Sequence, residues 1–231
     1  LIKTADHVVA ISGPMKEYYE LFHPTVTCIE NGYDEGVFDQ ARARIDDQGV
    51  RAPADEFVIR YMGTITADSI TVSFFHALAQ VNQQPGRRVV AEFYGKSTLL
   101  RKALPELAPQ AEPFVRFCPQ LPYMGAIEGM LTADALFFIE TSDFSSHSAR
   151  GVLATKLFEY LAARKPVLAE ISAGSLAAQY IKQSGLGVVV SEETGEIFRG
   201  LERLRAGEFK SEIDDGFINS VSRQVKAQEL E

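Results

Sequence analysis

Thr155-Lys-Leu-Phe-Glu-Tyr-Leu-Ala-Ala-Arg-Lys-Pro-Val-Leu-Ala169 is the stretch that carries the most information about the fold. Apolar residues at helical spacing in its first part predict a helix over about 154–163. The run from Pro166 to Ala169, which follows directly, predicts a short strand. A helix of about ten residues next to a short strand is typical of a βαβ unit, so the stretch indicates a parallel sheet covered by helices.

The same alternation extends outward from this stretch in both directions. Towards the N-terminus we predict strands over 7–11, 26–29, 57–62, 89–94, 114–117 and 135–139, and helices over 13–23, 69–83, 97–107 and 123–131. Towards the C-terminus we predict a helix over 176–183, a strand over 187–190, and helices from 194 onward. The sequence therefore predicts an α/β fold: a Rossmann-like parallel sheet with helices on both faces. Ligands bind such sheets beyond the carboxyl ends of the strands, which directs attention to the loops after Met62, Tyr94, Phe117 and Ile139.

Composition narrows the class of protein. The chain has 231 residues, of which 46% are hydrophobic and 23% charged, as in ordinary soluble globular domains. That length lets a single α/β domain bury a full core. Because the net charge is −8, we expect no nucleic-acid partner bound through phosphates. A local basic pocket for one diphosphate stays open, since net charge says little about a single site.

Cysteine usage and the lack of targeting signals suggest a compartment. Cys28 and Cys118 stand apart from any CxxC or Cys/His cluster, so we expect two reduced thiols and a cytoplasmic protein. No apolar run approaches the ~18 residues that a membrane span needs. The sequence begins with Leu1 and in mid-fold, so we expect a fragment of a longer chain.

The histidines and serines do not form a known catalytic or metal pattern. The four histidines are scattered without HxH or HExxH spacing, so no metal is expected; they are His7, His23, His76 and His147. The loop 142–148 combines Ser, His and Asp, but the chain has no GxSxG elbow. We therefore do not expect hydrolase chemistry.

Two glycine loops follow predicted strands. Gly63, in Met62-Gly63-Thr64, would let the backbone approach a phosphate, and Thr64 adds a hydroxyl; the alternative is a glycine needed only for a tight turn. The tripeptide is neither a GxGxxG fingerprint nor a P-loop. Gly95-Lys96-Ser97 looks like the end of a P-loop but lacks the upstream glycine, so we interpret Lys96 as a solvated side chain that begins a surface helix.

Lys156 and Glu159 lie about one turn apart on the helix of the opening stretch. We expect Lys156 to face Glu159 or Tyr160. The N-terminus of this helix points at the ligand edge and carries partial positive charge, so Lys156 could bind a diphosphate and Glu159 a ribose diol. The alternative is an ordinary surface pair worth about 0.3–0.5 kcal/mol.

Several segments, taken in order, resemble the donor-binding domain of one enzyme family. The chain is similar to the C-terminal domain of GT-B glycosyltransferases of the group 1 type, which use nucleotide-diphosphate sugars. The segments that carry the resemblance are Ala5-Asp-His-Val-Val-Ala-Ile-Ser12, Ile29-Glu-Asn-Gly-Tyr-Asp34 with Phe38, Ile59-Arg-Tyr-Met-Gly63, Ala133-Asp134, and Lys156-Leu-Phe-Glu-Tyr-Leu-Ala-Ala-Arg-Lys-Pro166. The tail 217–230 resembles the terminal helix that crosses back to the N-terminal domain.

The resemblance implies three parts: 1–30 as the end of the acceptor domain and its linker, 31–215 as the donor domain, and 216–231 as the crossing helix. It implies no cofactor and no metal. The donor would contact the backbone near 117–121 with its base and Glu159 with its ribose. The donor-binding residues it implies are Gly63, Thr64, Gln120, Tyr123, His147, Thr155, Lys156 and Glu159.

The sequence departs from the family at three places. The family has two glutamates separated by seven residues, but Gly151 stands where the first would fall, so Ser145, Ser146 or His147 would hold the sugar. The basic residues that follow the first glycine loop are missing from 64–68, and Lys156 would compensate. The glycine usually found before Lys-Pro is Arg164.

The resemblance implies a glycosyltransferase, of a retaining branch, that moves a sugar to a polysaccharide, a glycolipid or a small acceptor. The acceptor residues would come from the missing N-terminal domain, so the fragment alone would be inactive. A lipid-linked acceptor would place the protein at the inner membrane surface. The alternatives are a catalytically degenerate GT-B domain acting as a binding or scaffold module, and an epimerase of the same fold that would use Glu140 and Asp143.

Overall fold

A single parallel sheet dominates the protein. The computed structural model describes residues 2–49, 53–65, 71–140, 153–208 and 213–229. Within these residues the main sheet has six parallel strands in the order β5-β4-β3-β6-β7-β8. Its strands are β3 (Glu56–Met62), β4 (Arg88–Tyr94), β5 (Val115–Cys118), β6 (Ala135–Ile139), β7 (Val167–Glu170) and β8 (Gly187–Val190). The order reverses between β3 and β6, which makes this the switch point of the sheet.

Helices connect the strands and cover both faces of the sheet. They are α1 (Gly13–Glu20), α2 (Glu35–Gln48), α3 (Val72–Val81), α4 (Thr98–Leu107), α5 (Tyr123–Leu131), α6 (Thr155–Ala163), α7 (Leu176–Gln183), α8 (Thr194–Arg205), α9 (Asp215–Ser220) and α10 (Arg223–Gln228). A 3₁₀ helix, Pro109–Phe114, precedes β5. In the described part of the chain, each helix is too short or too polar to cross a bilayer.

Two apolar cores hold the helices on the sheet, one on each face. On one face Phe74 of α3 stacks on Phe137 of β6, with ring centroids 4.1 Å apart. On the other face Tyr160 of α6 is fully buried, and its hydroxyl accepts a hydrogen bond from the backbone N–H of Met62 at 2.9 Å. This bond fixes the last residue of β3 against α6, next to the switch point.

A small two-stranded parallel sheet stands apart from the main one, with β1 (Val8–Ala10) paired to β2 (Val26–Cys28). The last two helices return to the segment that follows β2. Tyr33 pairs with Ser222 as an isolated bridge, and the Arg223 guanidinium donates to the carbonyl of Gly32 at 3.0 Å. Gly32 is required there, because an added Cβ would lie 2.6 Å from the carbonyl oxygen of Val221.

The predicted α/β architecture is confirmed, and the helices predicted over 123–131 and 176–183 have the predicted bounds. One prediction was wrong: the tail does not form one continuous helix, because it breaks at Val221 and Ser222 starts α10 by accepting a bond from the N–H of Val225. Thr71 is the N-cap residue of α3. Ser69, where the sequence predicts this helix to begin, lies outside the described residues.

Arg164 ends α6 in the left-handed region, at φ 52°, where a glycine is usual. Its guanidinium bonds to the carboxylate of Asp215 at 2.8 Å and to the side chain of Asn219 at 3.1 Å. These contacts to α9 hold the Arg164 side chain in place, whereas its left-handed backbone costs about 1–2 kcal/mol.

Candidate functional site

A cavity of about 190 Å³ opens at the carboxyl ends of β3, β4 and β5. Backbone from two glycine loops, one carboxylate and several apolar side chains form its wall. The lining residues are Met62, Gly63, Thr64, Tyr94, Gly95, Gln120, Leu121, Ala126, Met130 and Glu159. The cavity therefore lies where parallel α/β sheets bind their ligands.

The two glycine loops pack directly against each other. The N–H of Gly63 donates to the carbonyl of Tyr94 at 2.9 Å. Gly63 has φ +138° and Gly95 has φ +116°, and a Cβ on Gly95 would lie 2.6 Å from the carbonyl oxygen of Gly63. Only glycine satisfies both the backbone angle and the contact at position 95. The pair keeps bare backbone at the cavity wall, where a phosphate could approach it.

Lys156 does not face Glu159 or Tyr160, so that prediction was wrong. Its Nζ donates to the hydroxyl of Tyr61 at 3.0 Å and lies 4.3 Å from the centre of the Tyr61 ring. The ring of Phe138 is 5.3 Å away on the other side. A largely buried ammonium needs such partners, because two aromatic faces and a phenol oxygen replace part of its hydration. The surface-pair alternative is thereby excluded.

The ammonium lies beneath the first glycine loop. The Tyr61 hydroxyl that accepts from Lys156 donates in turn to the carbonyl of Thr64 at 3.1 Å. Burial lowers the pKa of Lys156 to about 8, although Glu140 at the end of β6 opposes this. Burial raises the pKa of Glu140 to about 7, with Lys156 opposing. Lys156 is therefore mostly protonated at pH 7 and loses its charge just above it.

Glu159 supplies the carboxylate in the cavity wall. It lies one turn after Lys156 on α6, and burial raises its pKa. A hydrogen bond from Tyr123, at the start of α5, and the charge of Arg223 on α10 both lower that pKa. These two partners partly offset the effect of burial, and the Glu159 carboxyl group lines the cavity wall.

The predicted site residues fall into four groups. Gly63, Thr64, Gln120 and Glu159 line the cavity, and Tyr123 and Lys156 adjoin it through Glu159 and the glycine loop. Thr155 is exposed and accepts a bond from Asn31 at 3.3 Å, away from the described cavity wall. His147 lies outside the described residues, as do Gly151, Ser145, Ser146 and Asp143.

Sequence reasoning missed the residues that hold the predicted ones. Tyr61 binds Lys156 from a strand 95 residues earlier in the sequence, and Arg223 acts on Glu159 from the C-terminal tail. Nothing local in the sequence links such distant positions. Lys96 is exposed, as predicted, although α4 begins only at Thr98.

A groove of about 580 Å³ continues from the cavity across the ends of β4 and β5 and shares Gly95 and Gln120 with it. It is lined by the segment 117–120 and by the start of α4. The Arg101 guanidinium lies 5.3 Å from the centre of the Phe117 ring, so a cationic side chain covers an aromatic one beside the groove.

No family model and no curated protein matches the sequence. Solved structures do match. They include sucrose-phosphate synthase from Thermosynechococcus elongatus (16% identity, TM-score 0.71, covering 99% of this chain and 57% of that one). Another is WaaG, a glycosyltransferase involved in lipopolysaccharide biosynthesis (15% identity, TM-score 0.64, covering 96% and 59%). A third is Anabaena Alr3699/HepE in complex with UDP and glucose (18% identity, TM-score 0.61, covering 97% and 59%).

These neighbours are GT-B glycosyltransferases, and the chain spans somewhat more than half the length of each. The coverage matches one of the two domains of such an enzyme, as expected for the C-terminal domain. The six-stranded sheet, its helices and the position of the cavity therefore identify the chain as having the fold of a GT-B glycosyltransferase domain.

Proposed function

We propose that this chain is the donor domain of a glycosyltransferase and binds a nucleotide-diphosphate sugar in the cavity at the ends of β3, β4 and β5. One observation carries the proposal: the Gly63-Thr64 backbone and the Glu159 carboxyl group converge on a single cavity at the ends of β3, β4 and β5, beside the switch point of the sheet. The complexes of Alr3699/HepE with UDP and with UDP-glucose support a nucleotide sugar as the ligand.

The diphosphate would bind at the first glycine loop. Bare backbone at Gly63 and the Thr64 hydroxyl offer donors, and the Lys156 ammonium lies directly below the loop. The N-terminus of α6 adds partial positive charge at the same edge. Donors held in fixed positions stabilise the negative charge that develops on a leaving diphosphate, which is the main catalytic contribution that this domain could make.

The nucleoside would extend from the cavity into the neighbouring groove. Glu159 would accept hydrogen bonds from both ribose hydroxyls, with Tyr123 and Arg223 holding its charge. The base would meet the backbone at 117–121 and lie beside Phe117 and Arg101. Cavity and groove share Gly95 and Gln120, so one extended ligand can occupy both.

The acceptor half of the reaction would need a second domain. We assign 1–30 to the end of that domain and its linker, 31–215 to donor binding, and 216–231 to the segment that returns to it. The sugar would be transferred to a polysaccharide, a glycolipid or a small acceptor. Its anomeric configuration would be retained, and no metal would be needed. This chain alone would bind the donor weakly and turn over little or nothing, because acceptor residues are needed for chemistry.

Calorimetry with a panel of nucleoside diphosphates tests the proposal. We expect one base to bind, and Glu159→Ala to weaken it at least about tenfold through the loss of charge-assisted hydrogen bonds. Lys156→Met, which keeps volume in the buried site, should also weaken binding. Glu106→Ala and Lys102→Ala, exposed on α4, are the matched controls. No binding of any diphosphate at millimolar concentration contradicts the proposal.

A catalytically degenerate domain that only binds or scaffolds is the second candidate. Gly151 in place of a glutamate and the burial of Lys156 beneath the loop, rather than in the cavity wall, favour it. The two candidates differ in turnover. A longer chain that contains this one would release nucleoside diphosphate from a sugar nucleotide if it is an active glycosyltransferase, and would not do so if the domain only binds or scaffolds.

A further inference from the structure

A second and larger cavity, of about 690 Å³, opens at the carboxyl ends of β6, β7 and β8. We call it the acidic cavity. Five carboxylates lie in its described wall: Glu140, Glu170, Glu192, Glu193 and Glu196. None of the described wall residues is a lysine or an arginine. Lys156 lies close enough to Glu140 to influence its pKa, and Arg199 does the same for Glu196. Its volume lies within the usual range of small-molecule sites, roughly 300–1,000 Å³.

Glu170 is the feature that distinguishes this cavity from a solvated acidic surface. It is the last residue of β7, between Ile139 of β6 and Val190 of β8, and is only 2% exposed. Neither of its carboxylate oxygens has a hydrogen bond of ordinary geometry, and the same is true of one oxygen of Glu140. A buried carboxylate that has only the Thr71 side chain beside it as a donor is costly, so its position on a cavity wall indicates a ligand that supplies further donors.

Burial also changes the protonation of Glu170 and Glu140. Burial raises the pKa of Glu170 to about 7; the Thr71 side chain lowers it and Glu192 raises it. The pKa of Glu140 is also about 7. Both groups are therefore partly protonated near neutral pH, and a cation placed beside them would ionise them.

The spacing of the carboxylates selects the kind of cation. In the described part of the chain, no three acidic, histidine or cysteine side chains come together closely enough to hold a metal ion. An ammonium group needs only one or two carboxylates and donates three hydrogen bonds. The wall also offers hydroxyl groups on Thr71, Ser172 and Ser191 and an apolar base, which suit a polyol carrying an amine.

We propose that the acidic cavity binds the protonated amine of a sugar-sized ligand, with Glu170 as its principal carboxylate partner. The ammonium would lie at the end of β7 and the sugar hydroxyls would meet the side chains of Thr71, Ser172 and Ser191. This site is separate from the donor cavity. Direct binding tests it whether or not the chain binds a nucleotide.

The experiment compares two matched ligands by calorimetry at pH 7.5. The first is 2-aminoethyl glucoside, whose primary alkylammonium stays almost fully protonated at this pH, because alkylamines titrate well above pH 7.5. The second is its N-acetyl derivative, which has the same sugar and no charge. We expect the amine to bind at least about tenfold more tightly than the neutral derivative, as for a charge-assisted hydrogen bond.

Two variants and one buffer comparison decide the role of Glu170. Glu170→Gln keeps the shape and should weaken amine binding about tenfold or more, whereas Glu106→Gln on the exposed face of α4 should leave it unchanged. Titrations in two buffers of different ionisation enthalpy should show proton release on binding, because Glu170 and Glu140 ionise. Circular dichroism of Glu170→Gln confirms that the variant is folded.

Equal affinity for the amine and its N-acetyl derivative would overturn the proposal. Unchanged amine affinity in folded Glu170→Gln would do the same, and so would displacement of the amine by Mg²⁺ or Mn²⁺ alone at equimolar concentration. Failure of nucleotide binding to the same protein bears only on the donor site, so the two proposals fail separately.

Discussion

Replacing Glu170 by glutamine should stabilise the folded chain in a way that depends on pH. Glu170 is buried at the end of β7 without an ordinary hydrogen bond, and its pKa in the folded protein is raised to about 7 from 4.5. The folded state therefore holds the proton more tightly than the unfolded state does. Its contribution to stability is present at low pH and is lost as pH rises through about 7.

The size of the effect follows from the pKa displacement. At 1.36 kcal/mol per pKa unit, a change from 4.5 to about 7 costs the folded state about 3 kcal/mol once the carboxylate is fully ionised. Most of that cost develops between pH 5 and pH 8. Glutamine carries no charge and resembles the protonated acid in shape. The variant should therefore exceed wild type by less than about 1 kcal/mol at pH 5 and by about 3 kcal/mol at pH 8.

Urea unfolding of both proteins at pH 5, 6, 7 and 8 measures this difference. Glu140 titrates in the same range but is present in both proteins, so subtraction isolates Glu170. Glu106→Gln serves as the control, because Glu106 is exposed on α4. A difference in unfolding free energy between Glu170→Gln and wild type that stays constant from pH 5 to pH 8 would refute the reasoning that burial raises the pKa of Glu170.

Three further predictions concern the donor cavity. Tyr160→Phe should lower the free energy of unfolding by about 1–3 kcal/mol in urea titrations, because the buried N–H of Met62 loses its acceptor. Gly95→Ala should destabilise by about 2 kcal/mol or more and abolish diphosphate binding, since its methyl group would collide with backbone; Gly13→Ala, with open space around it, should bind normally. Diphosphate affinity should fall as pH rises through about 8, where Lys156 loses its proton, and calorimetry of Lys156→Met should show no such fall.

Local patterns predicted the architecture well. Short apolar runs located the strands of the main sheet to within a residue or so, as for the strand observed at Glu56–Met62. Each pattern reports on a segment of about ten residues, which is the scale of a strand or helix in this fold. The tail was mispredicted as one helix because Ser222 can serve both as a helix residue and as a cap, and its pairing with Tyr33 is not visible in the local sequence.

Side-chain partners were harder to predict. The helical spacing of Lys156 and Glu159 suggested that they face each other, because residues three apart are neighbours on a helix surface. Partners from distant strands determined the outcome. Lys156 instead packs between Tyr61 and Phe138, and Glu159 turns to the cavity. The acidic cavity was missed because its carboxylates come from three separate segments, at the ends of β6 and β7 and around the start of α8. Of these carboxylates, only Glu140 was singled out from the sequence, for the epimerase alternative.

The two cavities at the ligand edge of the sheet differ in charge: one is lined by carboxylates, and the other lies next to the Lys156 ammonium. Glu140 belongs to the first cavity and interacts with Lys156. Each favours the charged form of the other, and burial favours the neutral form of both. An anion at the glycine loop would hold Lys156 protonated, and a cation in the acidic cavity would hold Glu140 ionised. If both proposals hold, a diphosphate in the donor cavity favours ionised Glu140 through protonated Lys156. An amine in the acidic cavity favours protonated Lys156 through ionised Glu140. Linkage then requires the coupling to be reciprocal, and a diphosphate would raise the affinity for an amine as much as the amine raises the affinity for the diphosphate.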